Sequence, residues 1–142
     1  MQLSGKDVVV FLSGPNSVRD GRLIQLSLHQ GQNEWDAILR LTFDVPNSTQ
    51  GGKYELTLWG DLSFDYEFSS ESTLQEIAFV KCIWIDEATF YLSLDPWKEC
   101  ERFASEQDND CFRSRSVTLR VRGGGSAPPP TDLRNVRCRH SD

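Results

Sequence analysis

KYELTLWGDLSFDYEF, residues 53 to 68, places Tyr54, Leu56, Leu58, Leu62, Phe64, Tyr66 and Phe68 on one parity straight across Gly60. A period of two is the signature of a strand with one face in a core. A two-residue Gly60-Asp61 loop would pair Trp59 with Leu62 and mix the faces. A three-residue Trp59-Gly60-Asp61 loop pairs Leu58 with Leu62 and Leu56 with Phe64, which keeps one apolar face. One long strand bent at Gly60 does the same.

Working outward, the same alternation recurs. In EWDAILRLTFDV the odd-numbered Trp35, Ala37, Leu39, Leu41, Phe43 and Val45 are apolar. SVTLRVR turns Val117, Leu119 and Val121 inward, and RLIQLSLH has Ile24, Leu26 and Leu28 in phase. The run IAFVKCIWI is apolar on both parities, which predicts a central strand covered on both faces. Asp86 to Thr89 is a turn into a second strand, Phe90 to Leu94, which Pro96 must end. Ser72 to Glu76 has the spacing of a capping box, so a short helix is possible there, outweighed by the β-rich run that follows.

About eight strands emerge, joined by loops with Gly-Pro-Asn, Gly-Gln-Asn, Pro-Asn-Ser and Gly-Gly signals. The expected class is all-β, a mostly antiparallel sandwich or strongly curved sheet, with one short helix near Trp97 to Ser105. Residues 1–122 form the β domain. Residues 123–142, GGGSAPPPTDLRNVRCRHSD, read as a Gly/Pro-rich linker and a basic, flexible tail.

A chain of 142 residues with 38% hydrophobic and 25% charged side chains can bury a sizeable core as one domain. The apolar run Val8 to Leu12 is far too short to span a bilayer, and nothing around it resembles a secretory leader. No membrane association and a cytoplasmic location are therefore expected. The four cysteines, Cys82, Cys100, Cys111 and Cys138, include no C-x-x-C pair. Cys82 reads as a small buried hydrophobe. Cys100 and Cys111 flank an acidic stretch, and an oxidising environment would let them bridge its ends.

The net charge of −6 is unevenly spread. Residues 1–112 carry −11 and residues 113–142 carry +5; between Glu55 and Asp110, 14 acids face three bases. This total argues against a nucleic-acid-binding body, because like charges repel the phosphate backbone. A basic protein partner would be attracted.

The densest acidic stretch is LDPWKECERFASEQDNDC, residues 94–111. Asp108-Asn109-Asp110 starts like a calcium loop, but Cys111-Phe112 stands where a third ligand and a glycine are needed. A solvated acidic loop is the better reading, and no metal or other cofactor is assigned. Nothing singles out two carboxylates for acid-base work. His29 falls on a polar strand face and His140 in the tail, and no nucleophile or phosphate-loop motif occurs. A catalytic role is not expected. Of the tryptophans, Trp35 and Trp84 fit a core, while Trp59 and Trp97 occupy turns and suit an interface anchor with a charged rim, or a platform for a sugar.

Residues 79–121, FVKCIWIDEATFYLSLDPWKECERFASEQDNDCFRSRSVTLRV, resemble the C-terminal half of small all-β immunity-type proteins of bacterial polymorphic toxin systems. The resemblance rests on Tyr91, Ser93, Leu94, Asp95 and Pro96 after a hairpin, then Asp108 and Asp110, and loosely on Asp20 to Leu28. It implies a cytoplasmic protein that neutralises a co-encoded toxin, and it carries over no catalytic residue. The tail after Val121 has no counterpart. With the charge pattern, it makes Asp95, Trp97, Glu99, Glu101, Glu106, Asp108 and Asp110 the expected contact set for a basic partner such as a toxin domain. The alternative is a carbohydrate- or ligand-binding sandwich using an exposed Trp, with calcium assisting.

Overall fold

The computed structural model describes residues 1–33, 36–49, 52–67 and 76–122. Trp35, the capping-box residues 72–75 and the tail 123–142, with Cys138 and His140, lie outside the described residues. The chain forms strands β1 (Gln2–Ser4), β2 (Arg22–Gln30), β3 (Ala37–Asp44), β4 (Lys53–Trp59), β5 (Ser63–Asp65), β6 (Lys81–Ile85), β7 (Thr89–Asp95), β8 (Asn109–Ser114) and β9 (Ser116–Arg122), with helix α1 (Lys6–Leu12) after β1. Two antiparallel sheets result, ordered β1-β9-β4-β3-β2 and β5-β8-β7-β6. They stack as a sandwich, β4 against β8 and β9 against β7.

The predicted alternation of β3, β4 and β9 holds. Leu39, Leu41 and Phe43 meet Leu58, Leu56 and Tyr54 across one ladder, and those meet Val117, Leu119 and Val121 across the next. All nine are buried. Phe90, Leu92 and Phe112 close the core from the second sheet. Each such side chain stabilises the fold by roughly 1.5–3 kcal/mol on transfer from water, so the register is strongly fixed.

Of the two arrangements expected at Gly60, the structure takes the bent strand and not the hairpin. β4 and β5 do not pair with each other, because the chain passes from the first sheet to the second at Gly60 (φ +82°) and Asp61 (φ +44°). Beside it, β8 and β9 make the same passage in reverse at Arg115. Trp59 pairs with Ser116 on one side of the corner and Ser63 with Arg113 on the other. The corner is tied by Arg115 N–H donating to Gly60 O at 2.8 Å and by the 2.6 Å ion pair of Arg115 with Asp61. This is the bent long strand, which preserves one apolar parity without a turn.

Three further expectations are corrected. A β-bulge between Leu23 and Gln25 puts Leu23 rather than Ile24 (41% exposed) in the core, while Leu26 and Leu28 keep the expected phase opposite Leu41 and Leu39, Leu28 staying 58% exposed on the edge strand. The run around Cys82 is an edge strand, β6, rather than a central one. It is apolar on both parities because the core covers one face and the loop after Pro96 covers the other. The helix is α1 and not Trp97–Ser105. Val8 and Leu12, one turn apart, are buried against the sheets, so tertiary packing overrides the low helix propensity of the valines.

Candidate functional site

Lys81 opens β6 with its side chain fully buried. An ammonium cannot stay charged there without partners, and the acidic stretch supplies them. Lys81 Nζ donates to Asp108 Oδ2 at 2.9 Å, to Asp108 Oδ1 at 3.1 Å, to Glu101 Oε1 at 3.3 Å and to the Phe103 carbonyl at 3.1 Å. Asp108, with no exposed side-chain surface, also accepts from Tyr91 Oη at 2.7 Å and from the backbone N–H groups of Trp97 at 2.8 Å and Ser105 at 3.0 Å. Burial alone would raise its carboxyl, but the hydrogen bonds from Lys81, Ser105, Tyr91 and Trp97 outweigh it and hold the group below its usual value. Burial also drives the Tyr91 hydroxyl up, aided by Cys111 and Asp108, so Tyr91 acts as a donor.

Glu99 is likewise internal. It accepts from Val80 N–H at 3.0 Å and forms an ion pair with Arg19. The stretch 94–111 is therefore a cap folded over the outer face of the second sheet and centred on one lysine. A cavity of about 150 Å³ beside it is lined by Leu12, Ser17, Arg19, Cys82, Glu99 and Arg102, among others. Burial pushes the Cys82 thiol up to about 12, which leaves that sulfur a poor nucleophile at neutral pH.

The seven expected contact residues thus divide. Glu99 and Asp108 are buried and Glu101 half-buried, all three bound inside the cap. Asp95, Glu106 and Trp97 (42% exposed) face outward, with Asp110 partly so. A signal for this division existed in the sequence: Lys81 sits in an otherwise apolar run, and a buried lysine demands carboxylates from elsewhere in the chain.

The outward acids include one group that the linear reading missed. Asp110, in a left-handed conformation (φ +51°), accepts from Glu67 N–H at 3.3 Å. Its carboxyl is raised by burial and then by the charges of Asp95, Glu67 and Asp65. Among the described residues none of these four has an ion-pair partner; Asp95 has one side-chain contact, Asn109 Nδ2 at 3.2 Å. Phe103, 56% exposed on the cap, adds a second exposed aromatic besides Trp97. Among the described residues no group of three or more His, Cys, Asp and Glu side chains is arranged to hold a metal ion.

Cys111 is a free thiol and Cys100 is disulfide-bonded, so the bridge that an oxidising environment would allow between them is not formed. No helix among the described residues is long and apolar enough to cross a membrane. Comparison of the chain with protein-family models, with curated proteins and with solved structures gives no match.

Proposed function

We propose that this domain is a non-catalytic binding protein that takes a basic protein partner at its acidic end, in the manner of an inhibitor or immunity protein neutralising a co-encoded toxin. The observation that carries the reading is the carboxylate group Asp65, Glu67, Asp95 and Asp110 at one end of the second sheet, tied by Glu67 N–H to Asp110 and without an ion-pair partner among the described residues; burial first, and then the charges of the other three, raise Asp110. A partner that brings lysine or arginine there relieves that repulsion and gains steering from the surrounding field. Trp97 and Phe103 on the neighbouring cap supply the kind of aromatic anchors on which interfaces concentrate their energy. The contact set is accordingly Asp65, Glu67, Asp95, Trp97, Glu106 and Asp110, while Glu99, Glu101 and Asp108 hold the cap that presents them. A cytoplasmic location belongs to the same proposal; the disulfide at Cys100 pulls toward an oxidising compartment, and fractionation of native cells decides between the two.

The test is capture of partners from native extract, followed by titration of the identified partner in purified form against the wild type and an Asp95→Asn/Asp110→Asn variant at low and high salt. The expected result is a basic partner whose affinity falls at least tenfold in the variant and weakens with salt. Affinity indifferent to both would overturn the reading.

A further inference from the structure

The acidic total of the chain hides a face of opposite sign. The outer side of the five-stranded sheet is built from residues of one parity, in rows set by the ladders. His29, Ile38, Trp59 and Ser116 form the row nearest the corner. Ser27, Arg40, Thr57, Thr118 and Ser4 form the next, then Gln25, Thr42, Glu55, Arg120 and Gln2. Arg22, Asp44, Lys53 and Arg122 form the last.

Five cations thus stand against two carboxylates on one open sheet. Arg122 is 3.7 Å from Glu55, and Arg22 is 3.8 Å from Glu76. Arg40, Lys53 and Arg120 are exposed and have no ion pair among the described residues. The other positions of the face are mostly hydroxyl and amide side chains, and one aromatic, Trp59, is 38% exposed at its end.

We propose that this face binds single-stranded nucleic acid across the strands, Arg40, Lys53 and Arg120 contacting phosphates and Trp59 stacking on a base. Charge complementarity is local: the acids that give the chain its negative total lie mainly on the other sheet and its cap, so the whole-chain sum that argued against a nucleic-acid partner does not describe this surface. Strands 4.7–4.9 Å apart with unpaired cations and an aromatic platform are the ingredients of sequence-tolerant single-strand recognition. A duplex cannot present an unstacked base to Trp59, and an acidic protein has no base to offer it. The face is independent of the acidic end, so either proposal can fail alone.

Fluorescence anisotropy of labelled twelve-nucleotide oligo(U) and oligo(dT), titrated with the full chain, tests this. Binding at low salt is expected, with log K falling against log salt with a slope of about −2 for three phosphate contacts to a single strand. Arg40→Glu/Arg120→Glu abolishes it. Trp59→Ala weakens it about tenfold and removes the quenching of tryptophan fluorescence, whereas Asp86→Asn, on the exposed turn between β6 and β7, leaves it no weaker. Circular dichroism melts show that each variant folds, and Arg40→Lys retains binding. No binding of either oligonucleotide at low salt overturns the proposal. So does equal affinity for polyglutamate or for duplex DNA that ignores Trp59→Ala, because the face would then be a general polyanion or acidic-protein surface.

Discussion

Replacing Lys81 by alanine leaves Asp108 buried with a tyrosine, two backbone amides and no counter-charge. Breaking a buried pair from one side costs about 3–5 kcal/mol, so Lys81→Ala is expected to lower the stability measured by urea denaturation by that amount, and to release the cap. Asp110 behaves in the opposite sense. Its native pKa is raised above the ordinary 3.8, so the charged form costs stability at neutral pH, and the cost fades as the pH falls through the raised value. Asp108 is lowered below 3.8; its contribution is present above that value and is lost as the pH falls through the native one. Asp110→Asn keeps an oxygen for Glu67 N–H. It is therefore expected to stabilise the protein at pH 7 by about 0.2–1 kcal/mol after solvent screening, with the advantage closing by pH 3 in thermal melts. The division of the acids between interior and surface was only half legible in the sequence. Asp95 and Glu106 fell on the outside as expected, whereas the fate of Glu101 and Asp108 depended on a lysine up to 27 residues away in the chain, and that of Glu99 on Arg19, 80 residues away.

At the scale of elements, alternation identified β3, β4 and β9 because each has one wet face and one dry one. It failed only at the start of β2, where a single bulge at Leu23/Gln25 turns Leu23 in and Ile24 out and leaves no mark in composition. It misplaced the helix because burial of Val8 and Leu12 is a tertiary effect, and it read β6 as central because a cap of loop residues hides a face as completely as a sheet does. The corner was left between two readings. Both a hairpin and a bent strand keep the parity of residues 54–68, and only the pairing of β5 with β8 separates them. Gly60 holds φ +82°, and a Cβ there would stand 3.3 Å from the Cβ of Arg115. Gly60→Ala is expected to cost roughly 1–2 kcal/mol from the left-handed backbone alone. Gly52→Ala, with open space around it, should change the same melt little.

Across the whole molecule, the outer side of the five-stranded sheet carries five cations and two carboxylates, so the total of −6 does not describe that surface. A sum over sequence cannot show this, since Arg40, Lys53 and Arg120 come from three separate strands and meet only when β3, β4 and β9 are laid side by side. The paired passage at Gly60 and Arg115 has a mechanical meaning as well. It binds the sheets like the leaves of a book along one spine, and β8 runs from Asn109 and Asp110 at the fore-edge to Ser114 beside that spine. Asp95 and Asp110 both belong to the second leaf, so a partner that grips them holds one leaf by its fore-edge and leaves the spine free to flex.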